Sequence, residues 1–120
     1  MMSAGITTHV LDISAGCPAS GVQIELFQRL NDGRTKLLQT AYTNADGRVQ
    51  GPMLIGESVT TGTYELVFHV GNYFRNRGIS LEEPLFLDQV PVRFGISRSS
   101  SHYHVPLLVA PWGYNTYRGS

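Results

Sequence analysis

One cysteine, Cys17, stands in 120 residues, and a single thiol cannot close an intrachain disulfide. Its ordinary role is that of a small half-buried side chain, and a fold that manages without disulfides suits a reducing compartment. Charge is scarce as well, at 15% of residues against ~25% in an average soluble domain. Nine basic and nine acidic residues cancel, so no field gathers a polyanion, and nucleic acid is not expected as a partner. Arg75 and Arg77 are too few for a basic patch. No run reaches the ~18 apolar residues of a membrane span, so no membrane partner is expected. The opening Met1-Met2-Ser3-Ala4-Gly5 lacks the basic and apolar regions of a signal peptide, and the closing Arg118-Gly119-Ser120 is not a peroxisomal address. The expected location is the cytoplasm. Phosphate loops, dinucleotide fingerprints, nucleophile elbows, internal repeats and low-complexity stretches are all missing.

What the chain has is alternation and turns. Val22, Ile24 and Leu26 alternate with Gln23 and Glu25; Tyr64, Leu66, Phe68 and Val70 with Glu65, Val67 and His69; Val90, Val92, Phe94 and Ile96 with Pro91, Arg93 and Gly95. A period of two marks a strand with one face on a core. Residues 6–13 read as a further strand, rich in β-branched side chains. Residues 36–43 and 48–55 are weaker candidates, and 103–109 and 113–118 complete the set. Asn31-Asp32-Gly33-Arg34 and Asn44-Ala45-Asp46-Gly47 carry hairpin-turn chemistry. Only residues 72–78 read as helical, with Asn72 as a cap and Gly78 as the stop, and 79–89 as a connection containing Pro84. Pro91 and Pro106 each point to an edge strand or a bulge. The expectation is all-β: a single domain over 1–120, a β-sandwich of two four-stranded antiparallel sheets with one short helix.

Candidates for chemistry are few. His102 and His104 flank Tyr103 and in a strand share one face; His9 lies within the first strand. Imidazoles can move protons or ligate metal, although an isolated strand histidine is ordinarily plain surface polarity, and His-x-His alone is a weak metal signal. His69, between Phe68 and Val70, reads as structural. Arg48 follows a tight turn, so it is either a solvated strand end or a rigidly mounted donor fork for a carbonyl or anionic ring. Arg118 has the same two readings, with Asp12 or the terminal carboxylate as its ordinary partners. The apolar run from Val105 to Tyr114 suggests that the following Tyr117-Arg118-Gly119-Ser120 is held in place rather than frayed.

Taken in order, several segments resemble one family. Thr8-His9-Val10-Leu11-Asp12 with Gly16-Cys17-Pro18-Ala19 and Gly21-Val22 resembles the opening strand and turn of transthyretin-like proteins. Thr43-Asn44-Ala45-Asp46-Gly47-Arg48 resembles their second signature. His102-Tyr103-His104-Val105-Pro106-Leu107-Leu108 and the segment from Gly113 to Ser120 resemble the closing hairpin of one branch, the 5-hydroxyisourate hydrolases. The terminal Tyr-Arg-Gly-Ser is the specific part, because it separates the enzymes from the hormone carrier. The resemblance implies a homotetramer, a dimer of dimers, with sites in a channel where dimers meet. It implies that His9, Arg48, His104, Tyr117, Arg118, Gly119 and Ser120 line that channel, and that no cofactor or metal is required. The connection between Gly78 and Val90 is less aromatic than the family leads one to expect.

The small-molecule substrate implied is 5-hydroxyisourate, whose cyclic amide is opened by an activated water. His9 and His104 are then the base candidates, with His104 favoured. Arg48 offsets developing negative charge, and Tyr117 with Ser120 fixes ring and water. Three rivals stand beside this. A transthyretin-like carrier of a small aromatic ligand would want an apolar lining. A structural sandwich would give these signatures no reason to coexist. A zinc hydrolase would use His9, His102 and His104.

Overall fold

The computed structural model describes residues 3–119 and carries them as two packed sheets. The strands are β1 (Gly5–Asp12), β2 (Cys17–Pro18), β3 (Gln23–Arg29), β4 (Thr35–Tyr42), β5 (Leu54–Ile55), β6 (Gly62–Phe68), β7 (Val90–Ile96), β8 (His102–Ala110) and β9 (Gly113–Thr116), with helix α1 at Val70–Asn76. One sheet runs β4-β3-β6-β7 and is antiparallel throughout. The other runs β2-β1-β8-β9, with β5 also on β1. The two-residue β5 makes this second sheet five-stranded. Its central pair, β1 and β8, is parallel, a detail that alternation in single strands cannot show.

The alternation became the core. Val22, Ile24, Leu26, Tyr64, Leu66 and Phe68 from one sheet meet Ile6, Val10 and Leu107 from the other, all fully buried. Each such side chain contributes about 1.5–3 kcal/mol by leaving water. Because the inward residues of β1 are the even-numbered ones, Thr7 and His9 are left on the outer face. In β8 the buried Tyr103 and Val105 likewise leave His102 and His104 outside.

Several expectations need correction. The helix begins two residues earlier than the sequence suggests, with His69 as its N-cap; Asn72 lies inside it and accepts a hydrogen bond from Arg75 Nη1 at 3.0 Å. Residues 48–55 do not form one strand: only Leu54–Ile55 does, while Arg48 and Val49 make isolated bridges. Pro91 does lie in an edge strand, but Pro106 lies in β8, between β1 and β9. It is tolerated because the β8–β9 ladder begins only at Leu107↔Thr116, and its carbonyl accepts Thr116 Oγ1 at 2.7 Å. The missing N–H falls where the ladder is interrupted. Asp12 does not pair with Arg118. Fully buried at the end of β1, it accepts Tyr73 Oη at 2.8 Å, Arg77 Nη1 at 2.6 Å, and the Ser14 hydroxyl and amide. No described helix is long and apolar enough to cross a membrane.

Candidate active site

Four segments lie side by side across the outer face of the second sheet. Arg48 bridges His9 on one edge of β1, between the short strands β2 and β5. On the other edge, Thr7 stands opposite His104 and His9 opposite Pro106, which makes His9 and His104 diagonal neighbours on one face. Beyond β8, Gly119 bridges His104, its amide donating to the His104 carbonyl at 2.8 Å. That bridge continues the antiparallel register of Leu107↔Thr116 past Pro106, so the tail stays along β8. The bridges and the β1–β8 register bring His9, Arg48, His104 and Gly119 together as neighbours. Ser120, given a catalytic part above, lies outside the described residues.

Two glycines set the spacing. Gly47 adopts φ +75°, and a Cβ there would run into the Val10 carbonyl and stand 3.2 Å from the His9 ring. Its own carbonyl accepts the Val10 amide at 2.8 Å, so the turn that carries Arg48 is pinned against β1 at the closest backbone approach. A Cβ on Gly119 would fall 2.6 Å from His104 Cδ2. The tail can thus lie against the imidazole only because that residue has no side chain.

The histidines are oriented by their partners. His9 Nε2 lies 2.9 Å from the Asp46 carbonyl; a carbonyl only accepts, so this nitrogen carries the hydrogen and Nδ1 is the ring's acceptor. His104 Nδ1 lies 2.8 Å from Thr7 Oγ1, and no hydrogen bond among the described residues takes its Nε2. Burial lowers the His104 pKa below its ordinary value, and the charges of Arg48, His9 and His102 lower it further. It is therefore neutral, and able to accept a proton, at neutral pH. The ion pairs of the described residues do not include Arg48 or Arg118. Arg118 lies over the Tyr103 ring, 4.2 Å from its centroid, and its Nη2 reaches the His102 carbonyl at 3.5 Å. Tyr117 is exposed beside it. Arg118 thus packs on a ring that points to the other face of β8 from His102 and His104, and with Tyr117 it lines a hollow beside Val92, Phe94 and Val105, so the structure does not bring the Arg118 side chain to the histidine row.

Sequence reasoning missed Thr7 and the Asp46 carbonyl. Thr7 is two residues before His9 and so shares its face, but its place opposite His104 follows only from the parallel β1–β8 pairing. Among the described residues no three His, Cys, Asp or Glu side chains stand close enough to hold a metal ion. His102 and His104 instead both turn a ring nitrogen onto the Thr7 hydroxyl, which weighs against the zinc arrangement. The face itself is open. The 580 Å³ hollow lined by Phe74, Leu85, Phe86 and Trp112 includes none of these residues, and the chemistry of the donors, not the size of a hollow, locates the site.

The chain matches the model of the HIUase/Transthyretin family over residues 6–119. It is 56% identical to "5-hydroxyisourate hydrolase 2" of Rhizobium meliloti (strain 1021), over 98% of each chain. Among solved structures it is similar to (S)-allantoin synthase at TM-score 0.91 and 43% identity, over 98% of this chain; it spans 44% of that longer chain. It is also similar to sea bream transthyretin in complex with thyroxine, at TM-score 0.83 and 28% identity, over 95% of this chain and 93% of that one.

Proposed function

Because the chain belongs to the HIUase/Transthyretin family, we propose that it is an enzyme, a 5-hydroxyisourate hydrolase acting in urate degradation. The observation that carries the reading is the row Arg48, His9, His104 and Gly119 on one sheet face, in a chain 56% identical to a hydrolase of that name. In this reading His104 Nε2 takes a proton from water as the water oxygen bonds to the cyclic amide carbon. The carbon–nitrogen bond then breaks, and the same proton passes to the leaving nitrogen, which opens the six-membered ring to 2-oxo-4-hydroxy-4-carboxy-5-ureidoimidazoline. His104 suits the base role because its lowered pKa keeps it neutral. His9, held through Nε2, presents Nδ1 to orient the water. Arg48 offsets the oxyanion. Gly119 flanks His104 from the other side, and Tyr117, Arg118 and Ser120 belong to this wall in the family pattern. The reaction needs no cofactor in this account.

Two finer statements belong to the proposal. The family resemblance implies a homotetramer, a dimer of dimers, and an open sheet face, which does not exclude water from a small substrate, fits an assembly in which a second copy roofs it. The exposed rings of Tyr114 and Tyr117 beside it fit a covered surface. The cytoplasm fits the exposed, unbridged Cys17 thiol. A carrier role is the weaker reading: two imidazoles and a guanidinium make a polar lining. Both are tested by generating 5-hydroxyisourate from urate with a urate oxidase and following its ultraviolet absorbance. A hydrolase speeds the decay at substoichiometric protein; tight binding of an iodinated thyronine without turnover would favour the carrier.

A further inference from the structure

Thr7 Oγ1 lies 2.8 Å from His104 Nδ1 and 2.8 Å from His102 Nε2. A threonine hydroxyl has one hydrogen. It can therefore donate to one histidine at most, while its two lone pairs let it accept from one ring or from both. Either His104 carries its hydrogen on Nδ1 and gives it to Thr7, which donates to His102 Nε2 or accepts from that nitrogen as well, or Thr7 donates to His104 Nδ1 and accepts from His102 Nε2. Only the first arrangement leaves His104 Nε2 with a lone pair. We infer that Thr7 and His102 are positioning residues that hold His104 in the Nδ1–H tautomer and so keep its Nε2 basic, an inference that rests on the hydrolase reading for its catalytic meaning.

Two further features support that direction. His102 is set by its own surroundings: its ring lies over Gly5, where a Cβ would fall 3.4 Å from Nδ1, and it lines a 390 Å³ hollow with Ala4, Gly5, Pro52 and Ile55. A hydrogen on His102 Nδ1 faces this open hollow, where water can accept it, and Nε2 is left to accept from Thr7. Finally, when Nε2 takes the proton from water, the imidazolium Nδ1–H already has its acceptor in Thr7. The new charge is met without any side chain moving.

The test pairs a spectrum with kinetics. In uniformly 15N-labelled protein at neutral pH, the His104 Nε2 resonance is expected at the position of an unprotonated ring nitrogen, and Nδ1 at that of a protonated one. Thr7→Val keeps a β-branched strand residue but removes the relay. It should mix the two tautomers and lower kcat on the order of 10–100-fold, as loss of an orienting partner does, with KM little changed. Thr7→Ser should restore both the spectrum and most of kcat. A wild-type His104 with its proton on Nε2, a Thr7→Val protein with unchanged kcat, or a Thr7→Ser protein as impaired as Thr7→Val would each overturn the proposal. If the wild-type protein fails to hydrolyse 5-hydroxyisourate, the functional reading falls, while the spectrum still decides the tautomer.

Discussion

Strand β1 carries a polar cluster at each end, and the two are built to opposite purposes. At Asp12 every group is satisfied. Burial alone would raise this carboxyl's pKa, but hydrogen bonds from Ser14, Tyr73, the Ala15 amide and Arg77 outweigh it and hold the pKa below the ordinary value. In turn burial, then the Asp12 charge, pushes the Tyr73 hydroxyl up to about 12. Nothing there is available for chemistry. Around Thr7 and His9, one ring nitrogen each of His104 and His9 is held, by the Thr7 hydroxyl and the Asp46 carbonyl, and no hydrogen bond among the described residues takes the other. The first cluster ties α1 and the 13–16 turn to the sheet; the second keeps proton-transfer capacity in reserve. Saturated hydrogen bonding stabilises, and a functional site is one where saturation is withheld.

That contrast can be broken at either end. The largest effect should come from His104→Asn, which removes the proton acceptor: turnover should fall by ~10²–10³, while thermal unfolding stays close to wild type. Next, Asp12→Ala leaves the Arg77 charge and the Tyr73 hydroxyl without their partner, and chemical denaturation should show a loss of about 3 kcal/mol. Its kcat, measured below the melting range, should be retained. Tyr73→Phe removes one hydrogen bond to a buried charge and should cost about 2 kcal/mol by the same measurement. The pH dependence separates the ends further. Because the Asp12 pKa is lowered on folding, its contribution is complete above the ordinary value of 3.8 and is lost as pH falls through the folded value. The stability gap between wild type and Asp12→Asn should therefore close only in strong acid. The smallest effect concerns His104. Its pKa lies below 6.5 chiefly through burial and secondarily through Arg48, so Arg48→Gln should move its NMR titration upward by part of the shift. An unmoved titration would place Arg48 away from the ring.

Much of this was legible beforehand because alternation and turn chemistry are local. Ile24, Leu26, Tyr64, Leu66 and Phe68 declared the core, and the Asn44–Gly47 turn declared a rigid mount for Arg48. The resemblance brought His9, His104 and the tail to one place. What was hidden is non-local. Pro106 reads as an edge residue, yet lies in an inner strand, because its missing donor falls at an interruption that only the β9 register creates. Asn72 reads as a cap, yet the helix starts at Val70, whose buried side chain draws the first turn onto the core. Thr7 looks like an ordinary strand threonine until the parallel pairing sets it between two imidazoles. Arg118, a plausible partner for Asp12 by charge alone, lies over Tyr103 instead, and Arg77 takes the carboxylate.

The most direct measurement compares the decay of freshly generated 5-hydroxyisourate with no protein, with the wild-type protein and with His104→Asn, all three at neutral pH. A site built on the outer face of the β1–β8 pair predicts rapid, substoichiometric conversion by the wild type and a rate near the protein-free one for the variant. Equal acceleration by both proteins, or none by either, would contradict it.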